Sequence, residues 1–157
     1  MTAATPGAPV PATSPAKLRP ALQEVVDGFR EAPRGLVLEL LLEYADAVPP
    51  LPPHLADHPE LLERVPECQT SFFLKAEVGA DGRTTLWFDA PPEAPTTRAF
   101  AGILAAGLDG ATAEEVLAVP DDFYLAMGLG EVISPLRLRG MAAILGRLKR
   151  QVREQRS

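Results

Sequence analysis

The chain has 157 residues, 46% of them hydrophobic, with one cysteine and a formal net charge of -6. That length is one domain's worth with a proper core, and a lone cysteine excludes a disulfide scaffold. An acidic balance argues against general nucleic-acid binding, and the lack of a long apolar run or a basic-then-apolar leader argues against membrane insertion and secretion. A reducing cytoplasm is the expected compartment.

The charge is uneven. Residues 137–157 carry seven Lys/Arg and one Glu, whereas residues 1–136 carry eight Lys/Arg and twenty Asp/Glu. A basic C-terminal segment on an acidic body reads either as a docking feature or as cations favoured near a helix C-terminus.

Residues 1–16, rich in Pro and Ala and uncharged, read as a disordered tail, with 17–157 as the folded domain. Pro20 is a good first helical residue, and Leu22, Val25, Val26 and Phe29 follow the spacing of an amphipathic helix. Pro33 and Gly35 break it. A second helix is expected over about Leu36 to Ala47, with Leu36, Val37, Leu40, Leu41 and Tyr44 on one face. Pro49 to Pro53 reads as a stiff spacer, or less readily as a polyproline ligand. His54 and His58 stand four apart, but flanking prolines and the lack of a nearby cysteine argue against a metal pair.

Leu61 to Val65 reads as a short helical turn ended by Pro66. The hexapeptide Pro66-Glu67-Cys68-Gln69-Thr70-Ser71 follows, then a strand over 72–78, a hairpin turn at Gly79-Ala80-Asp81-Gly82 and a second strand from about Arg83 to Phe88. A rigid Pro-rich loop leads to a helix from about Arg98 to Leu108, with Thr96 or Thr97 as its cap. Its small residues, Gly102 among them, suit close backbone approach. Thr112 to Glu115 spells a capping box, and another short helix is expected over 121–127. Ser134-Pro135 opens the last helix, where Leu138, Met141, Leu145, Leu148 and Val152 form a core stripe. Arg137 falls in its first turn, against the helix dipole.

The fold class expected is α+β: a small antiparallel sheet of about three strands flanked by helices, with Cys68 on a loop at the sheet edge. Cys68 alone is as well read as a small packed hydrophobe. As a nucleophile it would act as thiolate. A cysteine hydrolase would need His54 or His58 as its base, and a non-catalytic interaction module would need neither. A sulfur carrier needs only one presentable thiol. Phe72, Phe73, Leu74 and Trp87 are candidates to shelter the sulfur, and Arg137 to favour an anionic form.

Two stretches carry a resemblance. Pro66-Glu67-Cys68-Gln69-Thr70-Ser71 is similar to the Cys-Gln-Ser loop of the SufE family, and Ser134-Pro135-Leu136-Arg137-Leu138-Arg139-Gly140-Met141 to its Ser/Thr-Pro-x-Arg-x-x-Gly helix start. The likeness spans about residues 20–152. It implies an accessory sulfur acceptor rather than a stand-alone enzyme: Cys68 takes persulfide sulfur from a SufS-type cysteine desulfurase, stimulates that enzyme, and passes the sulfur to a SufBCD-type iron–sulfur scaffold or similar recipient. Pyridoxal phosphate would belong to the partner, and this chain would need no cofactor and no metal. The same resemblance implies that Gln69, Thr70 and Arg137 support Cys68, and that Pro66, Glu67 and Ser71 meet the partner. Such a protein would act as a monomer or homodimer. Glu67 stands where the family often has glycine, and a carboxylate there should raise the thiol pKa. The acidic positions the family places before the small-residue helix are not cleanly matched: Asp89 and Glu93 are candidates, and Thr96, which is not acidic, stands at one such place.

Overall fold

A computed structural model describes residues 18–156, so the Pro/Ala-rich tail at 1–16 lies outside the described residues. The fold is α+β. Among the described residues, six α-helices and three strands follow in the order α1 (Pro20–Glu31), α2 (Val37–Asp46), α3 (Pro53–Ala56), β1 (Glu63–Arg64), β2 (Phe73–Val78), β3 (Thr84–Asp89), α4 (Pro95–Leu108), α5 (Ala113–Leu117) and α6 (Pro135–Arg156). The strands form one antiparallel sheet in the order β1-β2-β3.

Alternation along the hairpin decides which face is covered. Leu74 pairs with Phe88 and Ala76 with Leu86, and all four are buried beneath the helices. The opposite face carries Lys75 across from Trp87 and Glu77 across from Thr85. There Trp87 Nε1 donates to Glu77 Oε1 at 2.9 Å, and Glu77 Oε2 meets His54 Nε2 at 2.8 Å.

β1 covers only the first two residues of the outer edge of β2. Beyond it, two glutamines of α6 stand in for a strand. Gln151 Oε1 accepts from Ala76 N at 2.8 Å, Gln155 Oε1 from Val78 N at 2.9 Å, and Gln155 Nε2 donates to Ala76 O at 2.7 Å. Backbone groups that would be an open sheet edge are thereby satisfied.

The helices pack closely because the sequence supplies small residues where they cross. A Cβ on Gly102 of α4 would stand 1.9 Å from the carbonyl oxygen of Tyr44 in α2, and one on Gly107 would stand 2.5 Å from Leu22 in α1. The expected stripe on α6 is buried throughout: Leu138, Met141, Leu145, Leu148 and Val152. The capping box forms, with Glu115 N donating to Thr112 Oγ1 and Thr112 N to Glu115 Oε1. The basic segment spends its charge on the acidic body. Arg147, Lys149, Arg150 and Arg156 pair with Glu63, Asp121, Glu63 and Glu114 respectively.

Four local expectations change. Glu63 and Arg64 are a strand rather than part of a helical turn, because Val65 N donates to Phe72 O at 2.9 Å and draws the segment against β2. α4 starts at Pro95 with Ala94 as an N-cap that has no side-chain capping bond, so Thr96 and Thr97 lie inside the first turn and do not cap it. Leu36 is 48% exposed, since it sits in a single 3-10 turn (Arg34–Leu36) ahead of α2. The short helix over 121–127 is a 3-10 segment, Phe123–Met127, ended at Gly128 with φ 73°.

Candidate functional site

Pro66 starts a 3-10 turn, Pro66–Cys68, that the fixed proline φ predisposes. Cys68 N donates to Val65 O at 3.1 Å and Gln69 N to Pro66 O at 3.0 Å. The chain must then reverse into β2, and Gln69 does this with φ 56° and ψ 22°. Among the described residues it is the sole non-glycine with positive φ. A left-handed glutamine costs on the order of 1 kcal/mol, and such strain gathers at functional sites.

The turn forms one wall of a cleft of about 550 Å³. Glu67, Cys68, Gln69 and Thr70 face Glu93, Ala94, Pro95 and Thr97 at the start of α4, and Ser134, Leu136, Arg137 and Gly140 at the start of α6. Two long helices therefore bring their first turns to the cleft, where their dipoles place partial positive charge. The sulfur lies against the α6 backbone: a Cβ on Gly140 would stand 3.4 Å from Cys68 Sγ and 3.8 Å from Cys68 Cα.

The thiol is half-buried. Burial first, and the Glu67 carboxylate second, push its pKa up to about 12, against a smaller downward pull from Arg147. The Arg147 guanidinium is itself shared by two carboxylates: Nη2 donates to Glu67 Oε1 and Oε2 at 2.8 and 3.0 Å, and Nη1 to Glu63 Oε2 at 2.8 Å. These bonds hold the Glu67 carboxyl below its ordinary range, the hydrogen bond from Arg147 being the main cause. Burial alone would raise Glu63, but hydrogen bonds from Gln151, Arg150 and Arg147 together carry it below the usual value.

The cleft brings together Cys68, Gln69, Thr70, Glu67 and Arg137. Pro66 and Ser71 are exposed beside it and are not among the residues that line it. Arg137 is exposed, its N–H donating to Ser134 Oγ at 3.4 Å, while the cation that bears on the thiol is Arg147. The expected shelter also changes. Phe72 and Leu74 are core, while Trp87 faces away, toward a groove with Tyr44 and Pro49. Glu93 reaches the cleft, whereas Asp89 is exposed at the end of β3.

Neither histidine lines the cleft. His54 is bonded to Glu77 and His58 Nδ1 to Glu60 at 3.1 Å. Glu77 lies four residues into β2 from its start, roughly 13 Å along the strand. Among the described residues no cluster of His, Cys, Asp or Glu could hold a metal ion, and no helix is long and apolar enough to cross a membrane.

Glu63 and Arg147 were not singled out from the sequence. A signal for Arg147 existed: it stands seven residues after Gly140, two turns along the same stripe of α6.

Comparison with known proteins bears on the family and the fold. Residues 23–152 match the model of the SufE family, described as an Fe-S metabolism associated domain. An uncharacterized SufE-like protein of Mycobacterium tuberculosis (strain H37Rv) is 54% identical over 142 residues, covering 90% of this chain and 98% of that protein. The chloroplastic/mitochondrial SufE-like protein 1 of Arabidopsis thaliana is 27% identical over 131 residues, covering 82% of this chain and 34% of that one. The solution structure of a hypothetical protein from Thermus thermophilus superposes with a TM-score of 0.79 at 48% identity, covering 88% of this chain and 97% of the other. The cysteine turn, the Ser134-Pro135 helix start and the α+β frame between them all lie within the matched span, and the chain belongs to the SufE family, the Fe-S metabolism associated domain.

Proposed function

We propose that the protein accepts sulfur on Cys68 from the persulfide of a SufS-type cysteine desulfurase and passes it to iron–sulfur cluster assembly, a SufBCD-type scaffold being the expected recipient. The observation that carries this reading is the placement of the chain's one thiol on a strained turn against Gly140, in a cleft lined by the first turns of α4 and α6. No cofactor of its own is required, because the pyridoxal phosphate that extracts sulfur belongs to the partner.

The step is an exchange at sulfur. The Cys68 thiolate attacks the outer sulfur of the donor persulfide, the donor S–S bond breaks, and the donor cysteine leaves as thiolate. It takes up the proton Cys68 gave up. One thiol and one persulfide yield one persulfide and one thiol, with no external oxidant or reductant.

The geometry explains how such a carrier avoids side reactions. A thiol with pKa near 12 is almost wholly protonated at neutral pH, hence a poor nucleophile toward stray electrophiles. Contact with the partner supplies what the free protein lacks, either by drawing Cys68 out of its half-buried position or by displacing the negative charge of Glu67. In the acceptor state, the first-turn dipoles of α4 and α6 favour the persulfide anion over the neutral form, and Arg137 lines the same cleft. The Thr70 hydroxyl, buried without a protein partner among the described residues, is a spare donor on the cleft wall.

The high pKa also favours a second reading, in which Cys68 only packs. The two part on activity. A sulfur acceptor raises desulfurase turnover, and the Cys68→Ala protein does not; a packing cysteine leaves turnover the same in both.

A further inference from the structure

We propose that Arg147 is a positioning residue that holds the Cys68 turn against α6 through Glu67, so that the Glu67–Arg147 pair sets how often the thiol leaves its seat. The inference rests on the sulfur-acceptor reading for its consequence, although the latch itself is a property of the free protein.

The turn touches α6 at two places. One is the apolar seat, where Cys68 Sγ lies against Gly140. The other is two helical turns further on, where Arg147 grips both oxygens of Glu67. Seven residues of helix separate the two points by roughly 10 Å. The grip is anchored behind, because the same guanidinium donates to Glu63 in β1, and Glu63 also accepts from Arg150 and from Gln151 Nε2 at 2.9 Å. Gln151 in turn ties to the backbone of β2. Arg147 is thus fixed to the sheet through Nη1 and holds the turn through Nη2, which reaches both oxygens of Glu67. Charge-assisted hydrogen bonds of this kind are shorter and stronger than neutral ones, and one guanidinium can bridge two carboxylates where an ammonium is only a point charge. The exposure is also lopsided: the Arg147 side chain is 27% exposed and that of Glu67 48%. The moving half of the latch is therefore the carboxylate on the turn, within reach of a docking partner, and the fixed half is the arginine.

This gives Glu67 a reason to stand beside the cysteine despite its charge. It disfavours the thiolate while the turn is seated, and it carries its charge away from Arg147 only when the turn lifts. Binding of a partner that claims Glu67 would unseat the turn and free the thiol in one event.

The test is amide hydrogen exchange of the free, full-length protein, read at Cys68 N and Gln69 N, with Ala76 N as the internal control. Wild type is compared with Glu67→Gln, Arg147→Met and the double variant. The expected result is exchange at the two turn amides that is faster by roughly threefold to tenfold in each single variant, the range for losing a partly exposed charge-assisted pair. The double variant should match the singles rather than multiply them, and Ala76 should stay protected. Unchanged exchange in Glu67→Gln, or a double variant showing the product of both effects, overturns the latch. Glu67→Gln leaves the Arg147–Glu63 pair intact, so the proposal stays testable if Arg147→Met fails to fold. Sulfur uptake from desulfurase and L-cysteine is measured on the same proteins. Wild type that takes up no sulfur would overturn the acceptor reading alone, whereas unchanged amide protection would overturn the latch alone.

Discussion

Cys68 and Gly140 are in register across the cleft: a Cβ on Gly140 would meet Cys68 Sγ at 3.4 Å, which is ordinary contact, with Cys68 Cα behind it at 3.8 Å. Gly140→Ala should therefore be tolerated. Gly140→Val adds atoms beyond that contact and should lift the turn, at a cost of about 1–3 kcal/mol from overpacking. Chemical denaturation should show the loss in stability, and the Cys68 thiol should alkylate faster in Gly140→Val than in wild type.

The raised thiol pKa has a consequence for alkaline stability. An unfolded cysteine ionises near pH 8.5, approximately, and the folded thiol only near 12. The folded state therefore favours the neutral form. That contribution is complete below the unfolded value and is lost as pH climbs from there toward 12. Wild type should lose stability relative to Cys68→Ala across that window and run parallel to it at neutral pH. Urea midpoints taken at increasing pH check this.

At the acid end the sign reverses. Glu63 and Glu67 are both held below the ordinary carboxylate value. Their contribution is present above that value and disappears as pH falls through the lowered one. Wild type should lose more stability than a Glu63→Gln, Glu67→Gln double variant as pH is taken below about 4. Acid titration followed by circular dichroism measures the difference.

Gln151 is 7% exposed and satisfies the buried N–H of Ala76. Gln151→Leu keeps the volume roughly and removes both that acceptor and a donor to Glu63. An unsatisfied buried donor costs about 1–3 kcal/mol, and thermal unfolding should show it. Gly102→Ala should be the more severe change. Its Cβ would meet a backbone oxygen at 1.9 Å, and only separation of α2 from α4 relieves that.

Much of this was legible because the signals were local. The capping box at Thr112 and Glu115, the apolar stripe on α6 and the turn at Gly79 to Gly82 each lie within a few residues, and each forms as its pattern demands. Cys68 and Gly140 sit in motifs far apart along the chain, yet both were recognisable as stretches. What escaped depends on tertiary placement. β1 has two residues and exists only because β2 pairs with it. Trp87 is a candidate shelter for the sulfur from the sequence, but its position in the register of β3 turns it to the outer face. Arg147 reads as one cation among several in a basic helix; only the folded chain brings it to Glu67, 80 positions away. The charge that bears on the thiol is thus the one that sequence order conceals, whereas Arg137, legible in its helix-start motif, is exposed.

The central claim is that Cys68 accepts sulfur. It is tested most directly by intact-mass and peptide analysis after incubation with a SufS-type desulfurase and L-cysteine, without reductant. The account predicts a gain of one sulfur atom, located on the peptide containing Cys68, absent from Cys68→Ala and accompanied by faster desulfurase turnover. Equal stimulation by wild type and Cys68→Ala, with no added sulfur on that peptide, would contradict it.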